Sequence, residues 1–262
     1  MKKKFKLTKE TITMNGRILH RIMATTDIII QNVKRKELGG FVESIDNLSD
    51  DAWVAHDAMV FGEARVYGQA MVSNNARVYG KAMVYDNAKV FGEARVYDYA
   101  KVHDYATVFG DAHVYDNSRV FSFAKVFDKS KVAGSASVSM SCLICGKFES
   151  DDSEITNQLV LCGANLHATT NGDIIGYKRV WSTDNPDVFE SCYDRNFKYK
   201  RGEYAEAADA VVDRNVSCGK GLHVSHPSYW DDGDATIMVS FRLEDVLTVY
   251  EGKVRVKRLK VL

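Results

Sequence analysis

The segment Ala82-Met-Val-Tyr-Asp-Asn87 is followed at once by Ala88-Lys-Val-Phe-Gly-Glu93 and Ala94-Arg-Val-Tyr-Asp-Tyr99, and this six-residue pattern decides the fold. It runs as 16 uninterrupted units from Ala52 to Lys147. The first position is Ala in 13 units, the third is Val in 15, and the fourth is Phe or Tyr in 10. A period of six with alternating residue types favours short β-strands, because an amphipathic helix repeats every 3.6 residues.

The residue types of the repeat indicate how the chain turns. Side chains alternate along a strand, so the small first residue and the Val at the third position point to the same side. The fifth and sixth positions are mostly Gly, Asn, Asp and other polar residues, which suit a tight corner with left-handed backbone. Three units would then close a triangular coil whose strands pair in parallel with the next coil. The sequence therefore predicts a mainly β chain built on a hexapeptide-type parallel β-helix, which is left-handed where it is known.

Every third unit lies on the same face of such a coil, and one face carries candidate binding residues. They are a basic row of Arg77, Arg95, His113 and Lys131 beside a tyrosine row of Tyr79, Tyr97 and Tyr115. Basic side chains about 4.8 Å apart on adjacent strands form a track for an anion or an acidic surface. The alternative is a ladder in which rings and cations stabilise one another without any partner.

A second face is predicted to be an interface. It carries Phe91, Phe109 and Phe127 in one row. Monomeric proteins rarely expose apolar patches of this size. We therefore expect a second subunit or the C-terminal region to cover these rings, and we predict a homo-oligomer.

Residues 1–51 are predicted to cap the solenoid, because the end of a solenoid exposes unpaired strand edges. Two strand-like runs flank Asn15-Gly16, a strong hairpin signal. Residues from about 5 to 147 resemble a family of phage and prophage hexapeptide-repeat proteins. The resemblance lies in Lys6-Leu7-Thr8, Asn15-Gly16-Arg17, Glu37-Leu-Gly-Gly-Phe-Val-Glu-Ser44, Asp46-Asn-Leu-Ser49 and the repeat itself. It implies a β-helix and a phage origin.

The repeat ends at Lys147, and the rest of the chain reads differently. Residues 148–171 are interpreted as a transition or a last irregular coil, and residues 172–262 as a small α+β or mainly β domain. The segment Cys218-Gly-Lys-Gly-Leu-His-Val-Ser225, with Asp245-Val246 and a basic final strand, resembles the C-terminal region of phage rapid-lysis B-like proteins. This second resemblance also implies a phage origin, and it brings no catalytic residue with it.

Cys218, His223 and His226 form the strongest cluster of reactive side chains outside the repeat. Such residues can act as a Cys–His nucleophile pair or as part of a metal site. The favoured interpretation is a folding signature in which Gly219 and Gly221 make a turn, since short isolated motifs often occur without function. No metal and no cofactor are predicted.

The composition limits the class of protein. Lys and Arg total 35, as do Asp and Glu, so the formal net charge is zero, and nucleic acid is not indicated as a partner. No apolar run reaches membrane-spanning length, and Met1-Lys-Lys-Lys lacks the apolar segment of a signal peptide. Five cysteines suit a reducing compartment. We expect a location in the host cytoplasm.

Together these observations favour a non-enzymatic, phage-encoded binding protein, in its specific form an antagonist of host defence. Its expected partner is a host protein or a nucleotide-type small molecule. One alternative is an enzyme, either a hexapeptide acyltransferase or an activity of Cys218 and His223. Against the acyltransferase, all units are six residues long, and His103 and His113 fall on different faces. A third possibility is a structural component of the virion.

Overall fold

The structure is a computed structural model of the chain. It describes residues 3–139, 142–146, 149, 167–169, 171–212, 219–227, 229–250 and 252–262. These residues fall into two compact units. The solenoid unit runs to Cys145 and includes Glu149, and the C-terminal unit contains the described residues from 167 onward. Most of the predicted transition, residues 148–171, lies outside the described residues.

The chain begins with the predicted hairpin. Strands β1 (Phe5–Met14) and β2 (Arg17–Ala24) pair antiparallel around a turn in which Asn15 and Gly16 have positive φ. Strand β3 (Leu38–Val42) pairs antiparallel with β2 and parallel with the repeat. Short 3-10 helices cover Ile29–Gln31 and Ile45–Asn47. Parallel pairing thus begins before Ala52, because the cap supplies the first rung of one sheet.

Each described repeat unit contributes one strand of two residues, at its second and third positions. The strands are β4 Trp53–Val54, β5 Met59–Val60, β6 Arg65–Val66, β7 Met71–Val72, β8 Arg77–Val78, β9 Met83–Val84, β10 Lys89–Val90, β11 Arg95–Val96, β12 Lys101–Val102, β13 Thr107–Val108, β14 His113–Val114, β15 Arg119–Val120, β16 Lys125–Val126, β17 Lys131–Val132, β18 Ser137–Val138 and β19 Leu143–Ile144.

These strands form three parallel sheets in which neighbours are three strands apart in sequence. Arg95, for example, pairs with Arg77 on one side and with His113 on the other. The inward positions are fully buried, as Ala82 and Val84 show. The predicted parallel β-solenoid is therefore confirmed, with Ala and Val filling its interior.

Left-handed backbone is confined to the fifth position of the repeat, although the sequence suggested both corner positions. Every described fifth residue has positive φ, whether it is Gly, Asp, Asn, Ser or His. A Cβ on Gly68 would lie 2.9 Å from the backbone nitrogen of Asp86 in the next coil. Where Asp occupies the position, its carboxylate can bond to the next coil. Asp104 accepts from the Ser122 N–H at 3.0 Å, and Asp116 from the Gly134 N–H at 3.0 Å.

The described part of the C-terminal unit is an antiparallel sheet. Its strands are β20 His167–Ala168, β21 Ile174–Ser182, β22 Val188–Ser191, β23 Lys198–Lys200, β24 Tyr204–Glu206, β25 Leu222–Ser225, β26 Ala235–Phe241, β27 Val246–Tyr250, β28 Lys253–Val256 and β29 Arg258–Val261. A 3-10 helix covers Leu243–Asp245. The main path of the sheet runs β24-β29-β26-β21-β25-β28-β27. β20 pairs with β21, so this sheet begins before residue 172.

No helix in the described segments is long and apolar enough to cross a lipid bilayer.

Candidate functional site

The basic row and the tyrosine row lie on one face of the solenoid, as their spacing predicts. Arg77, Arg95, His113 and Lys131 occupy equivalent positions on four consecutively paired strands. The rings of Tyr79, Tyr97 and Tyr115 stack with centroids 4.9 and 5.0 Å apart and planes within 1°. This arrangement follows from the 18-residue coil, which places equivalent side chains one above another.

The four basic positions differ in charge and pairing. Burial lowers the pKa of His113, and the charge of Arg95 lowers it further, so this ring is neutral at pH 7. Lys131 donates to Glu149 at 2.9 Å, which neutralises its charge locally. Arg77 and Arg95 form no ion pair with any described residue. The cationic part of the track therefore consists of Arg77 and Arg95.

The tyrosines beside them remain protonated over the physiological range. Burial raises the pKa of Tyr97 to about 12, and the neighbouring phenols Tyr79 and Tyr115 add to the shift. The pKa values of Tyr79 and Tyr115 are also raised, again mainly by burial. Their hydroxyl groups can thus donate hydrogen bonds to an acceptor next to the two guanidinium groups.

The predicted interface residues are stacked as well. The ring centroids of Phe91 and Phe109 are 5.0 Å apart, and those of Phe109 and Phe127 are 4.8 Å apart. Each ring is half-buried within the single chain. Stacking therefore accounts for part of their burial, and their coverage by a second subunit or another segment stays a prediction.

The remaining face contains a cluster of His103, Asp104 and Asp86. Their potential ligand atoms lie within 4.8 Å of one another. However, the His103 ring is stacked between Tyr85 and Phe121. The Asp104 carboxylate accepts a hydrogen bond from the Ser122 N–H at the corner of the next coil. The contacts with Ser122 and His103 lower the pKa of Asp104. The cluster is accounted for by solenoid packing.

The predicted cluster of Cys218, His223 and His226 in the C-terminal unit lies only partly within the described residues. Cys218 lies outside the described residues, and His226 follows the end of β25. His223 lies within β25, and its Nε2 atom is buried with no hydrogen-bond partner among the described residues. Burial lowers the pKa of His223 to about 4, helped by the charges of Lys178, Lys253 and Arg255. At neutral pH this imidazole is therefore uncharged.

The glycines of this motif pack against a buried arginine. A Cβ on Gly219 would lie 2.8 Å from Nη1 of Arg255, and one on Gly221 would lie 2.7 Å from its Cγ. Arg255 is fully buried, and its Nη1 donates to the carbonyl oxygen of Val211 at 2.9 Å. Gly221 also has a φ of +144°, which favours glycine. These contacts support the interpretation of Gly219 and Gly221 as structural residues.

Sequence reasoning missed Lys178, a half-buried cation on β21. Its Nζ donates to the carbonyl oxygen of His223 at 3.0 Å and lies 5.1 Å from the ring centroid of Tyr199. Burial lowers the pKa of Lys178 to about 8. One signal was present in the sequence: Lys178 alternates with the apolar residues Ile174, Gly176 and Val180, which share its side of the strand and are buried in the structure.

Comparison with known families agrees with the solenoid geometry. Residues 64–80 match the model of the YdcK beta-solenoid repeat, a segment of nearly three repeat units. No curated protein matches the chain significantly. The matched segment lies within the three parallel sheets described above, and the chain is a β-solenoid repeat protein.

Proposed function

We propose that the chain is a non-enzymatic binding protein encoded by a phage, which acts in the host cytoplasm as an antagonist of host defence. Its proposed partner is a host protein with an acidic surface, bound on the solenoid face that carries Arg77, Arg95 and the tyrosine row. The phage origin is supported by the resemblances of residues 5–147 and 172–262 to phage families.

The observation that carries the binding proposal is the alignment of three stacked phenols with two guanidinium groups that form no ion pair within the described part of the chain. Arg77 and Arg95 are paired in register on adjacent strands, so their side chains leave the solenoid side by side. Guanidinium groups form strong bidentate bonds with carboxylates and phosphates. A single exposed cation contributes little, but several groups that act on one partner contribute together.

The regularity of the repeat argues against an acyltransferase on the solenoid. Such an enzyme needs a histidine near an extruded loop, and all 16 units here are six residues long. His103 is stacked in an aromatic ladder, and His113 makes an edge contact with Tyr97 at 6.0 Å between ring centroids. Both histidines are thus accounted for by packing.

The test is affinity capture from bacterial host lysate with three forms of the protein. The first is wild type, and the second carries Arg77→Glu with Arg95→Glu. The third carries Lys101→Glu with Arg119→Glu, a matched control because Lys101 and Arg119 are paired in register on another face. Both double variants change the net charge equally. We expect the wild type and the control to capture one host protein, with a loss of roughly tenfold or more in the Arg77/Arg95 variant.

Other outcomes favour the competing functions. If both double variants lost capture of the host protein equally, the binding would depend on overall charge and not on the face that carries Arg77 and Arg95. Loss in Cys218→Ser alone, with the fold intact, would favour an enzyme. A nucleotide in the eluate, detected by mass spectrometry, would replace the host protein as the partner. Co-sedimentation with phage particles would favour a virion component.

A further inference from the structure

The C-terminal unit contains a cavity of about 690 Å³. Lys178 on β21, Cys192 after β22, Tyr199 on β23 and His223 on β25 all contribute to its lining. A cavity of this size is within the usual range for small-molecule sites. All of its described lining residues belong to the C-terminal unit.

The lining includes an ammonium group that has no anionic partner among the described residues. Lys178 has three N–H donors, and the carbonyl of His223 accepts one of them at 3.0 Å. Among the described residues, no carboxylate lies within ion-pair distance of Lys178. A half-buried charge without a counter-ion is poorly solvated, and a bound anion would recover part of that cost.

The other charged groups that line the cavity carry both signs. Lys253 and Arg255 lie close enough to affect His223, and His223 itself is neutral at pH 7. The acidic lining residue Asp209 is paired with Lys220 at 2.8 Å. The titratable or charged groups that line the cavity are Lys178, Arg179, Cys192, Tyr193, Asp194, Tyr199, Glu206, Asp209, Lys220, His223 and Asp232.

The remaining walls are suited to a flat ligand. Phe197 and Trp230 contribute aromatic surface, and Leu222 adds an apolar side chain. Aromatic side chains prefer to stack on planar groups. We propose that this cavity binds a small planar molecule carrying one phosphate or carboxylate, with the anion on Lys178 and the planar part against Trp230 and Phe197.

The proposal is tested by calorimetric titration of the full chain with two anionic probes and their neutral counterparts. The probes are adenosine 5′-monophosphate against adenosine, and 2-naphthoate against 2-naphthol. At least one anion is expected to bind, at least about tenfold more tightly than its neutral counterpart. Lys178→Met is expected to abolish this preference, and Lys178→Arg to retain part of it. Lys200→Met, on β23 but outside the cavity, should bind like wild type.

A protonation readout separates a direct contact from a structural role. The wild-type lysine has a pKa of about 8, and the anion requires the ammonium form. Binding at pH 8 should therefore take up about half a proton, measured in buffers of different ionisation enthalpy. Affinity should fall by about tenfold per pH unit above pH 8 in wild type, but not in Lys178→Arg.

Three results would overturn the proposal. They are the absence of binding by both anions at millimolar concentration, equal affinity for charged and neutral probes, and full binding by Lys178→Met. The Arg77/Arg95 variant retains the cavity and should bind these probes normally. The two proposals can therefore fail separately.

Discussion

Strands β17 and β28 both begin with Lys-Val, yet the two regions of the molecule use the lysine differently. In the solenoid, Lys131 of β17 points outward and pairs with Glu149 on the surface. In the C-terminal sheet, all four residues of β28 are buried, with Lys253 only 2% exposed and Arg255 fully buried. The solenoid excludes charge from its interior, whereas the C-terminal sheet encloses it.

This difference affects where stability and function are expected to lie. Surface charges contribute little each, so the solenoid draws its stability from the repeated Ala and Val interior. Buried cations cost desolvation energy and are weak evidence for stability. We therefore expect the C-terminal sheet to draw less of its stability from these positions than the solenoid draws from its interior.

The largest effect is expected from Ala82→Leu in the solenoid interior. Ala82 is fully buried, so the three added carbons would enter the packed interior of the solenoid. We expect a loss of about 3 kcal/mol in the free energy of unfolding, because overpacked cores force neighbouring side chains and backbone to shift. Chemical denaturation would measure it. Met83→Leu on the adjacent outward position is the control, and equal melting of the two variants would contradict the assignment of inward and outward positions.

The second-largest effect is a loss of stability at acid pH that we expect in the C-terminal unit and not in the solenoid. His223 has a folded pKa of about 4 against 6.5 in an exposed chain. Its folded value is depressed, so the associated stability is present above pH 6.5 and is lost as the pH falls through 4. Allowing for the partial exposure of the ring, we expect the C-terminal unit to lose about 1–2 kcal/mol in this window.

The measurement uses the tryptophans. Trp181 and Trp230 lie in the C-terminal unit and Trp53 in the solenoid. In a Trp53→Phe background, fluorescence therefore reports on the C-terminal unit alone. His223→Gln should remove the loss of stability between pH 6.5 and 4. If the Gln variant is equally acid-sensitive, another group is responsible.

Lys178→Met should stabilise the C-terminal unit at pH 7 by about 1 kcal/mol, because it removes a half-buried charge that no carboxylate of the described residues pairs with. The folded pKa of about 8 lies below the exposed value of 10.5, so the wild-type penalty is largest below pH 8. The gain should shrink between pH 8 and 10.5, where the folded chain has lost the proton that the unfolded chain still holds, and should vanish above pH 10.5. Denaturation of both proteins across this range would show it. A destabilised Met variant would mean that Lys178 is mainly structural.

The sequence predicted the solenoid well because its constraints are local and repeated. Each coil sets the register of the next, so the faces of Tyr79 and Phe91 followed from counting alone. The charge state of His113 did not, because it depends on burial and on Arg95 one coil away. Nor did the cavity that Lys178 lines, since Cys192, Tyr199 and His223 come from separate segments whose pairing no short motif specifies. The sequence motif pointed to His223 but not to the cation beside it.

The smallest effect concerns the corners of the solenoid, where equivalent positions can be compared. Asp98 and Asp116 both occupy fifth positions, with φ of 57° and 56°. Asp116 accepts a bond from the Gly134 N–H at 3.0 Å, whereas Asp98 makes no such bond to the described residues. Glycine relieves left-handed strain in both cases but adds freedom to the unfolded chain, and these effects nearly cancel.

Asp98→Gly should therefore change stability by less than about 0.5 kcal/mol, and Asp116→Gly should cost about 1 kcal/mol for the lost hydrogen bond. Urea denaturation of both variants gives the difference. Equal values would mean that the carboxylate bonds between coils contribute nothing, and that the solenoid depends on its interior alone.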